Sequence, residues 1–289
     1  MNLRSFINNK SINNINANIL KSTKLSQAFG SVCYKILLED GKKFVIKIQY
    51  EFNNNGHSSV YNEGKSLLEM NKMFPDIFPK IFQIDNDFIL MQWIENNGEK
   101  NELSENDFAI KLAKIHSIKN DNFGYKFDSQ IGGLIQPNSF EKSWINFYKT
   151  KRLQMIFDII NKNNKIELII IKKIESIINN IENYIPECKN PSLIHGDLWA
   201  GNILFNNSKL VGLIDPGIYY ANIELELSYL ILFNTVSKKF FDMYKAHIQL
   251  DKGFEERSGI YELYYALLNF YLWDKNYITK VDEIVKKYV

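Results

Sequence analysis

The segment from Leu193 to Pro216 constrains the fold of this chain more than any other part of its sequence. It runs LIHGDLWAGNILFNNSKLVGLIDP, with short apolar runs separated by polar residues. The first run, Leu193-Ile194, is typical of a buried strand that ends in a loop. Two further runs, Ile203 to Phe205 and Leu210 to Ile214, flank the turn signal Asn206-Asn207, which predicts a β-hairpin.

The polar residues of this segment lie where the apolar runs end. Asp197 is expected at a loop tip, and Asp215 directly follows the predicted hairpin and would project back toward Asn202. Two carboxylates and an amide at this spacing are typical of enzymes that transfer the terminal phosphoryl group of a nucleotide. Asp197 would orient the attacking hydroxyl and accept its proton. Asn202 and Asp215 would hold Mg²⁺, because this ion prefers hard oxygen ligands in a tight octahedron.

Each of these residue types is also common in ordinary turns, so a single position does not identify a site. The ordered set H-G-D-x-x-x-x-N followed by I-D-P, placed between strand-like runs, favours the catalytic interpretation. His195 is interpreted differently. We expect it to brace the loop through hydrogen bonds rather than to carry a proton, and the four histidines of the chain form no metal-binding motif.

The rest of the chain divides into a strand-rich first third and a helix-rich remainder. The composition shifts at the polar stretch Glu95 to Glu99, so we expect an N-terminal domain over residues 1–94 and a C-terminal domain over residues 95–289. The sequence therefore predicts an α+β protein with a nucleotide cleft between a small β-rich lobe and a larger α-rich lobe. The predicted strands of the first domain cover residues 32–38, 43–49, 81–84 and 88–93, and its predicted helix covers residues 60–73.

Several motifs resemble those of the fructosamine (ketosamine) kinase family, a branch of the kinase-like phosphotransferases that also contains aminoglycoside and choline kinases. The segment HGDLWAGN, His195 to Asn202, resembles the signature of that family, and Trp199 separates it from the wider group. Phe44 to Lys47 resembles the strand that carries the nucleotide-binding lysine, and Tyr61 to Gly64 resembles the helix that carries its glutamate partner. Other similar segments are Ile89 to Ile94, Gln136 to Asn138, Asp215 to Tyr220 and Tyr261 to Asn269.

This resemblance implies a two-lobed protein-kinase-like fold, with a small antiparallel β-rich N-lobe and a larger, mainly α-helical C-lobe. It also implies an enzyme that uses ATP and Mg²⁺ to phosphorylate the 3-hydroxyl of ketosamines such as fructosamine or ribulosamine. Because the phosphorylated adduct is unstable and frees the amine, the expected role is deglycation repair. The expected acceptor is a small-molecule ketosamine or a glycated protein lysine.

The resemblance also assigns roles to individual residues. Lys47, oriented by Glu63, would contact the nucleotide phosphates, together with Gly30 and Ser31 of the loop between the first two strands. Asp197 would be the catalytic base, Asn202 and Asp215 would bind Mg²⁺, and Trp199 would lie beside the substrate.

The chain departs from the family pattern at two places. The loop LSQAFGSVC, Leu25 to Cys33, contains only Gly30, where family members often carry a glycine pair. Glu226 stands where the family usually has aspartate, and we expect it to brace the catalytic loop.

Composition excludes several other classes of protein. The 289 residues carry a net charge of +2 without a basic tract, so nucleic-acid binding is not expected. Cys33 and Cys188 cannot build a disulfide framework, the N-terminus lacks the apolar core of a signal peptide, and no apolar run approaches a membrane span. We therefore expect a cytoplasmic protein without membrane contact, present as a monomer or weak dimer.

Two other functions are compatible with the same residues. One is a kinase for another small hydroxyl substrate, such as an aminoglycoside or an amino alcohol, and Trp199 argues against it. The other is a nucleotide-binding module that does not catalyse, supported only by the glycine-poor loop. The joint presence of Asp197, Asn202, Asp215 and Lys47 argues against that module.

Overall fold

The computed structural model describes residues 3–10, 12, 15, 17–52, 58–162 and 166–289. Two compact units make up the chain. The first unit contains the described residues of Met1–Lys100, Gln130–Ile135 and Asn202–Gly217. The second contains Asn101–Ser129, the described residues of Gln136–Gly201, and Ile218–Val289. The expected division between residues 94 and 95 stays a prediction.

Strands and helices of the described residues are labelled here in chain order. The strands are β1 (Ile19–Ala28), β2 (Ser31–Leu38), β3 (Lys43–Gln49), β4 (Ile81–Ile84), β5 (Phe88–Gln92), β6 (Ser129–Ile131), β7 (Leu134–Gln136), β8 (Ser192–Ile194), β9 (Ile203–Asn206), β10 (Lys209–Leu213) and β11 (Tyr219–Ala221). The α-helices are α1 (Leu3–Asn9), α2 (Ser59–Met73), α3 (Glu102–His116), α4 (Trp144–Tyr148), α5 (Met155–Asn161), α6 (Leu168–Asn179), α7 (Ile223–Leu232), α8 (Lys238–Lys245), α9 (Phe254–Leu272) and α10 (Tyr277–Tyr288).

The first unit is built on a five-stranded sheet in the order β1-β2-β3-β5-β4, in which every neighbouring pair is antiparallel. Side chains alternate between the two faces of β3. Phe44, Ile46 and Ile48 join the apolar core that includes Leu3 and Ile7 of α1. The intervening residues of β3 therefore face the other side of the sheet, which packs against α2.

Helix α2 lies very close to this second face. It begins after Ser58, whose side chain accepts a hydrogen bond from the backbone N–H of Tyr61. A Cβ added at Gly64 would lie 2.5 Å from Cγ2 of Ile89 in β5, so only glycine allows this approach of helix and sheet. The close packing sets the distance between residues of α2 and side chains of β3.

The hairpin predicted after the H-G-D segment is present as β9 and β10, which confirms that prediction. Its two central residues are Asn207 and Ser208, both in the left-handed region with φ of 49° and 59°. Two such residues match a type I′ turn, the geometry that fits the twist of a two-residue hairpin. The turn therefore lies one residue later than the signal Asn206-Asn207 indicated.

The second unit is mainly helical and has an aromatic core. Trp144 donates from its indole nitrogen to the hydroxyl of Tyr261 at 3.0 Å, and Tyr148 donates to the carbonyl of Ile260 at 2.7 Å. All four residues are fully buried. These bonds attach α4 to the long helix α9, so the polar tips of the aromatic side chains are satisfied inside the core.

A short two-stranded sheet in the second unit pairs β8 with β11, and Ile194 faces Tyr219 in that pairing. Strand β8 ends directly before the H-G-D motif. Among the described residues, no helix combines the length and the apolar character that a membrane span requires. The five-stranded sheet and the helical second unit confirm the α+β class.

Candidate active site

Three predicted site residues come together within the first unit. Lys47 lies on the face of β3 that packs against α2, and its ammonium group is 2.5 Å from Oε2 of Glu63. The same ammonium group is 3.0 Å from Oδ2 of Asp215, which follows β10. The side chain of Glu63 is 1% exposed and that of Asp215 is 34% exposed, so the group runs from the core to the surface.

The charges of this group are unequal, because one lysine faces two carboxylates. Burial alone would lower the pKa of Lys47, but the carboxylates of Asp215 and Glu63 outweigh burial and raise it. Burial raises the pKa of Glu63, Asp215 adds to the rise, and Lys47 opposes it. Lys47 therefore stays charged at neutral pH. The arrangement suits a lysine that holds anionic phosphates while a buried glutamate fixes its direction.

Asn202 and Asp215 lie at the same end of the β9–β10 hairpin. The last ladder pair joins Ile203 to Leu213, and the backbone N–H of Ile214 donates to the carbonyl of Asn202 at 3.1 Å. Asp215 has a φ of 55°, a left-handed conformation that costs a non-glycine residue about 1–3 kcal/mol. In this conformation its carboxylate reaches the ammonium group of Lys47.

The donor set at this end of the hairpin fits Mg²⁺. Asn202 and Asp215 offer hard oxygen atoms, which this ion prefers, and Lys47 adds positive charge for phosphates. Within the described residues, no group of three or more histidine, cysteine, aspartate or glutamate side chains forms a metal cluster. Asn202 and Asp215 are the residues that would hold a magnesium ion, which would supply positive charge to the phosphates.

The loop that contains Gly30 and Ser31 is a tight two-residue turn. Phe29 and Gly30 have φ of 49° and 69°, and Ala28 pairs with Ser31 across the turn. A Cβ at Gly30 would lie 2.7 Å from Cβ of Glu51, so a larger residue at this position would displace Glu51. The hydroxyl of Ser31 donates to the carbonyl of Ala28 at 2.9 Å and closes the turn.

Asp197 lies in the second unit, in the loop that follows β8. Its backbone N–H donates to Nδ1 of His195 at 3.3 Å. The hydroxyl of Tyr229 in α7 donates to Oδ1 of the Asp197 carboxylate at 3.0 Å. His195 is fully buried, so the ring braces the loop from inside, as expected from the sequence.

Glu226 holds the backbone of the same loop. Its carboxylate accepts hydrogen bonds from the N–H groups of His195 at 3.1 Å and of Gly196 at 2.6 Å. Nε2 of His116 lies 2.9 Å from the same carboxylate, and Nδ1 of His116 lies 2.6 Å from the hydroxyl of Tyr244. Burial would raise the pKa of Glu226, but the contacts with His116 and the loop N–H groups lower it. Glutamate is one methylene longer than the aspartate of the family pattern, and it still makes the hydrogen bonds that hold this loop.

Trp199 lies two residues after Asp197 and is 44% exposed. A Cβ at Gly201 would come within 2.4 Å of Cη2 of Trp199, so the indole lies flat against the glycine backbone. An exposed and fixed indole can present its face to a sugar ring. Its role beside the substrate stays a prediction.

Two residues that support the catalytic loop, one directly and one through His116, were not identified from the sequence. Tyr229 contacts Asp197 from α7, and Tyr244 contacts His116 from α8. The only sequence signal for Tyr229 is its position three residues after Glu226, which places both on one face of a helix. Nothing in the pattern around Tyr244 indicates a contact with a helix more than 100 residues earlier.

Removal of the Glu226 carboxylate is expected to destabilise the second unit strongly. Glu226→Ala leaves two buried N–H groups and His116 without their shared partner, so the free energy of unfolding should fall by about 3 kcal/mol or more. Because the folded-state pKa lies below the unfolded value, this contribution is present at neutral pH and lost as pH falls through the folded-state pKa. Urea denaturation measures it.

A matched control for this variant is Glu255→Ala. The side chain of Glu255 is 85% exposed, so its removal should change the free energy of unfolding by less than about 0.5 kcal/mol. Equal stability of the Glu226→Ala and Glu255→Ala proteins would contradict the bracing role.

Comparison with known proteins places this site in a family. Residues 7–289 match the family model described as fructosamine kinase. An Enterococcus faecium protein named as a probable ketoamine kinase is 31% identical over 206 residues, which cover 70% of this chain and 72% of that protein. The match to the family model extends over nearly the whole chain, including both units.

Solved structures share the fold. The crystal structure of a Thermobifida fusca protein assigned as a fructosamine-3-kinase gives a TM-score of 0.84 with 21% identity, and the match covers 94% of each chain. An ADP-bound aminoglycoside phosphotransferase gives a TM-score of 0.64 with 18% identity, and the match covers 99% of this chain and 98% of the other. These likenesses confirm the protein-kinase-like fold. The family match over residues 7–289 and the similarity to the Enterococcus faecium protein show that this chain belongs to the fructosamine kinase family and is a phosphotransferase whose acceptor is an alcohol group.

Proposed function

We propose that this chain uses ATP and Mg²⁺ to phosphorylate the 3-hydroxyl of ketosamines, such as fructosamines and ribulosamines, and so contributes to the repair of glycated amines in the cytoplasm. Membership of the fructosamine kinase family and the similarity to a protein named as a ketoamine kinase support the acceptor class. A small-molecule ketosamine and a glycated protein lysine both carry the reacting sugar.

The observation that carries the proposal is the group formed by Lys47, Glu63 and Asp215. A structural ion pair needs one carboxylate for one ammonium group, whereas this lysine has two within 3.0 Å. The second carboxylate, on Asp215, is partly exposed and has a strained backbone conformation. Strained residues cluster at functional sites because the surrounding structure holds them in place.

On the donor side, the residues of the chain position the nucleotide. Lys47 holds the phosphates, and Glu63 keeps its ammonium group in place through the 2.5 Å contact. The turn at Gly30 and Ser31 brings backbone groups close to the phosphates. Asn202 and Asp215 would hold Mg²⁺, which would neutralise charge on the phosphate oxygens.

On the acceptor side, Asp197 orients the sugar hydroxyl and accepts its proton as the bond to phosphorus forms. Trp199 offers its exposed indole face to the sugar. Phosphoryl transfer leaves little covalent chemistry to the protein, so catalysis consists mainly of positioning and charge neutralisation. The phosphorylated ketosamine is unstable and releases the amine.

An acceptor panel tests this function. Purified protein with ATP and Mg²⁺ is given fructosyl-lysine, ribulosyl-lysine, an aminoglycoside, choline or unmodified lysine, and ADP release is followed in a coupled assay. We expect ADP release with the two ketosamines at least about tenfold above that with the other acceptors. A preference for the aminoglycoside or choline would overturn the acceptor class, and ADP release with none of them would overturn the catalytic proposal.

A further inference from the structure

The carboxylate of Asp197 is held by a side chain that belongs to no motif of the chain. The hydroxyl of Tyr229 donates to Oδ1 of Asp197 at 3.0 Å. We propose that Tyr229 is a positioning residue, which fixes the orientation of the Asp197 carboxylate so that it can accept the proton of the acceptor hydroxyl. This inference rests on the proposed role of Asp197 as the catalytic base.

Tyr229 can hold a fixed position because its ring is packed on two sides. The ring stacks on that of Tyr265 in α9, with centroids 3.9 Å apart and planes 10° from parallel. The ring of Phe233 lies nearly perpendicular to it, at a centroid distance of 4.8 Å and an angle of 87°. Tyr229 is 5% exposed, so its hydroxyl has few orientations available. Packed aromatic rings make rigid supports for a polar tip.

The phenol of Tyr229 is a donor at all physiological pH values. Burial raises its pKa well above the usual value, and the negative charge of Asp197 raises it further. Tyr229 therefore keeps its proton and donates it in the hydrogen bond to Asp197. The bond is charge-assisted, since the acceptor is a carboxylate, and bonds of this kind are stronger than those between neutral groups.

Helix α7 contacts the catalytic loop at two points. Glu226 holds the backbone N–H groups of His195 and Gly196, directly before the base. Tyr229, one turn later on the same face of the helix, holds the side chain of the base itself. One rigid element thus sets both the path of the backbone and the orientation of the carboxylate.

The orientation of a carboxylate matters because its terminal torsion is broad. Rotation about this bond has only a weak two-fold preference, so packing and hydrogen bonds must select the reactive angle. A misplacement of about 1 Å in a reacting group can lower a rate by about a hundredfold. Loss of one charge-assisted bond is therefore expected to act on the rate of the chemical step, not on nucleotide binding.

The variant Tyr229→Phe tests the inference, because it removes the hydroxyl and keeps the ring that stacks on Tyr265. With the best ketosamine of the panel, kcat should fall about tenfold while the KM for ATP stays unchanged. A donor to a carboxylate favours its charged form, so the acid limb of the kcat profile should move to higher pH in this variant. Wild-type kcat with a wild-type pH profile would overturn the inference.

A matched control is Tyr148→Phe, which removes another buried phenol whose bond, to the carbonyl of Ile260, is 2.7 Å long. This variant should lose stability to a similar degree and keep the wild-type pH profile. If both variants change kcat equally without a shift of the acid limb, the role of Tyr229 is structural and the inference fails.

A spectroscopic measurement separates this inference from the proposed function. Carbon-13 NMR follows the protonation of the Asp197 carboxyl in the wild-type and Tyr229→Phe proteins without any acceptor. The midpoint should rise by about one pH unit when the hydroxyl is removed. An unchanged midpoint refutes the positioning bond even if ketosamines are phosphorylated. A raised midpoint in a protein that phosphorylates no acceptor would leave the bond intact and refute the function.

Discussion

Replacing Asp197 with asparagine is expected to lower kcat for ketosamine phosphorylation by at least about a hundredfold and to leave nucleotide binding intact. Asparagine has nearly the same shape and can still accept the hydrogen bond from Tyr229, but it cannot take up a proton from the acceptor hydroxyl. General-base catalysis commonly contributes about 10² to 10⁴ in rate. The coupled assay gives kcat, and isothermal titration calorimetry gives the dissociation constant of ATP.

The control for this variant is Asp158→Asn. Asp158 is an exposed residue of α5 whose carboxylate also accepts one side-chain hydrogen bond, from Gln154 at 2.8 Å, away from the catalytic loop. Its replacement should change neither kcat nor ATP binding. Normal turnover by Asp197→Asn would refute the assignment of the base.

Replacing Lys47 with methionine is expected to remove both activity and much of the stability of the first unit. Methionine fills the apolar space of the lysine side chain but leaves Glu63 and Asp215 facing each other without a positive charge. Loss of one partner from a buried ion pair costs about 3–5 kcal/mol, and the partial exposure of Asp215 and the raised pKa of Glu63, which favours its neutral form, place the expected loss at or below the lower figure. Loss of an electrostatic contact to the transferring phosphate should lower kcat/KM by about a hundredfold or more.

A double variant separates the two effects. In Lys47→Met with Glu63→Gln the buried carboxyl group that has lost its partner is also removed, so urea denaturation should show stability recovered relative to Lys47→Met alone. Activity should stay as low as in the single variant.

Lys239→Met is the control for a lysine in an ion pair. Lys239 and Glu102 are 64% and 58% exposed, and such exposed pairs contribute about 0–1 kcal/mol to the free energy of unfolding. Wild-type kcat/KM in Lys47→Met would contradict the phosphate-binding role.

The sequence predicts the local elements around the site well, because each depends on neighbours in the chain. Alternating apolar residues and a turn signal predict the β9–β10 hairpin, and this hairpin brings Asn202 and Asp215 to one end. The side of the sheet on which Lys47 lies can also be predicted, because strand alternation places it opposite the face of β3 that joins the core. The contact between Lys47 and Glu63 follows from the family resemblance, not from spacing.

Contacts between distant elements are the part that the sequence does not reveal. Aspartate adopts the left-handed conformation of Asp215 more often than most residues do, but its contact with Lys47 joins side chains 168 residues apart and has no local signal. The stacking of Tyr229 on Tyr265 joins α7 to α9 across 36 residues of chain, and aromatic residues at helical spacing are as common in ordinary cores. The turn at Phe29 and Gly30 places a phenylalanine in the left-handed region, and the sequence alone does not indicate this.

The most direct test of the proposed chemistry is to identify the atom that receives the phosphoryl group. Purified protein is incubated with ATP, Mg²⁺ and a fructosyl-amine, and the product is examined at once by two-dimensional phosphorus–proton NMR. We predict a correlation between the new phosphorus signal and the proton on carbon 3 of the sugar, and no such correlation with Asp197→Asn. Phosphate on another hydroxyl, or the same product from Asp197→Asn, would contradict it.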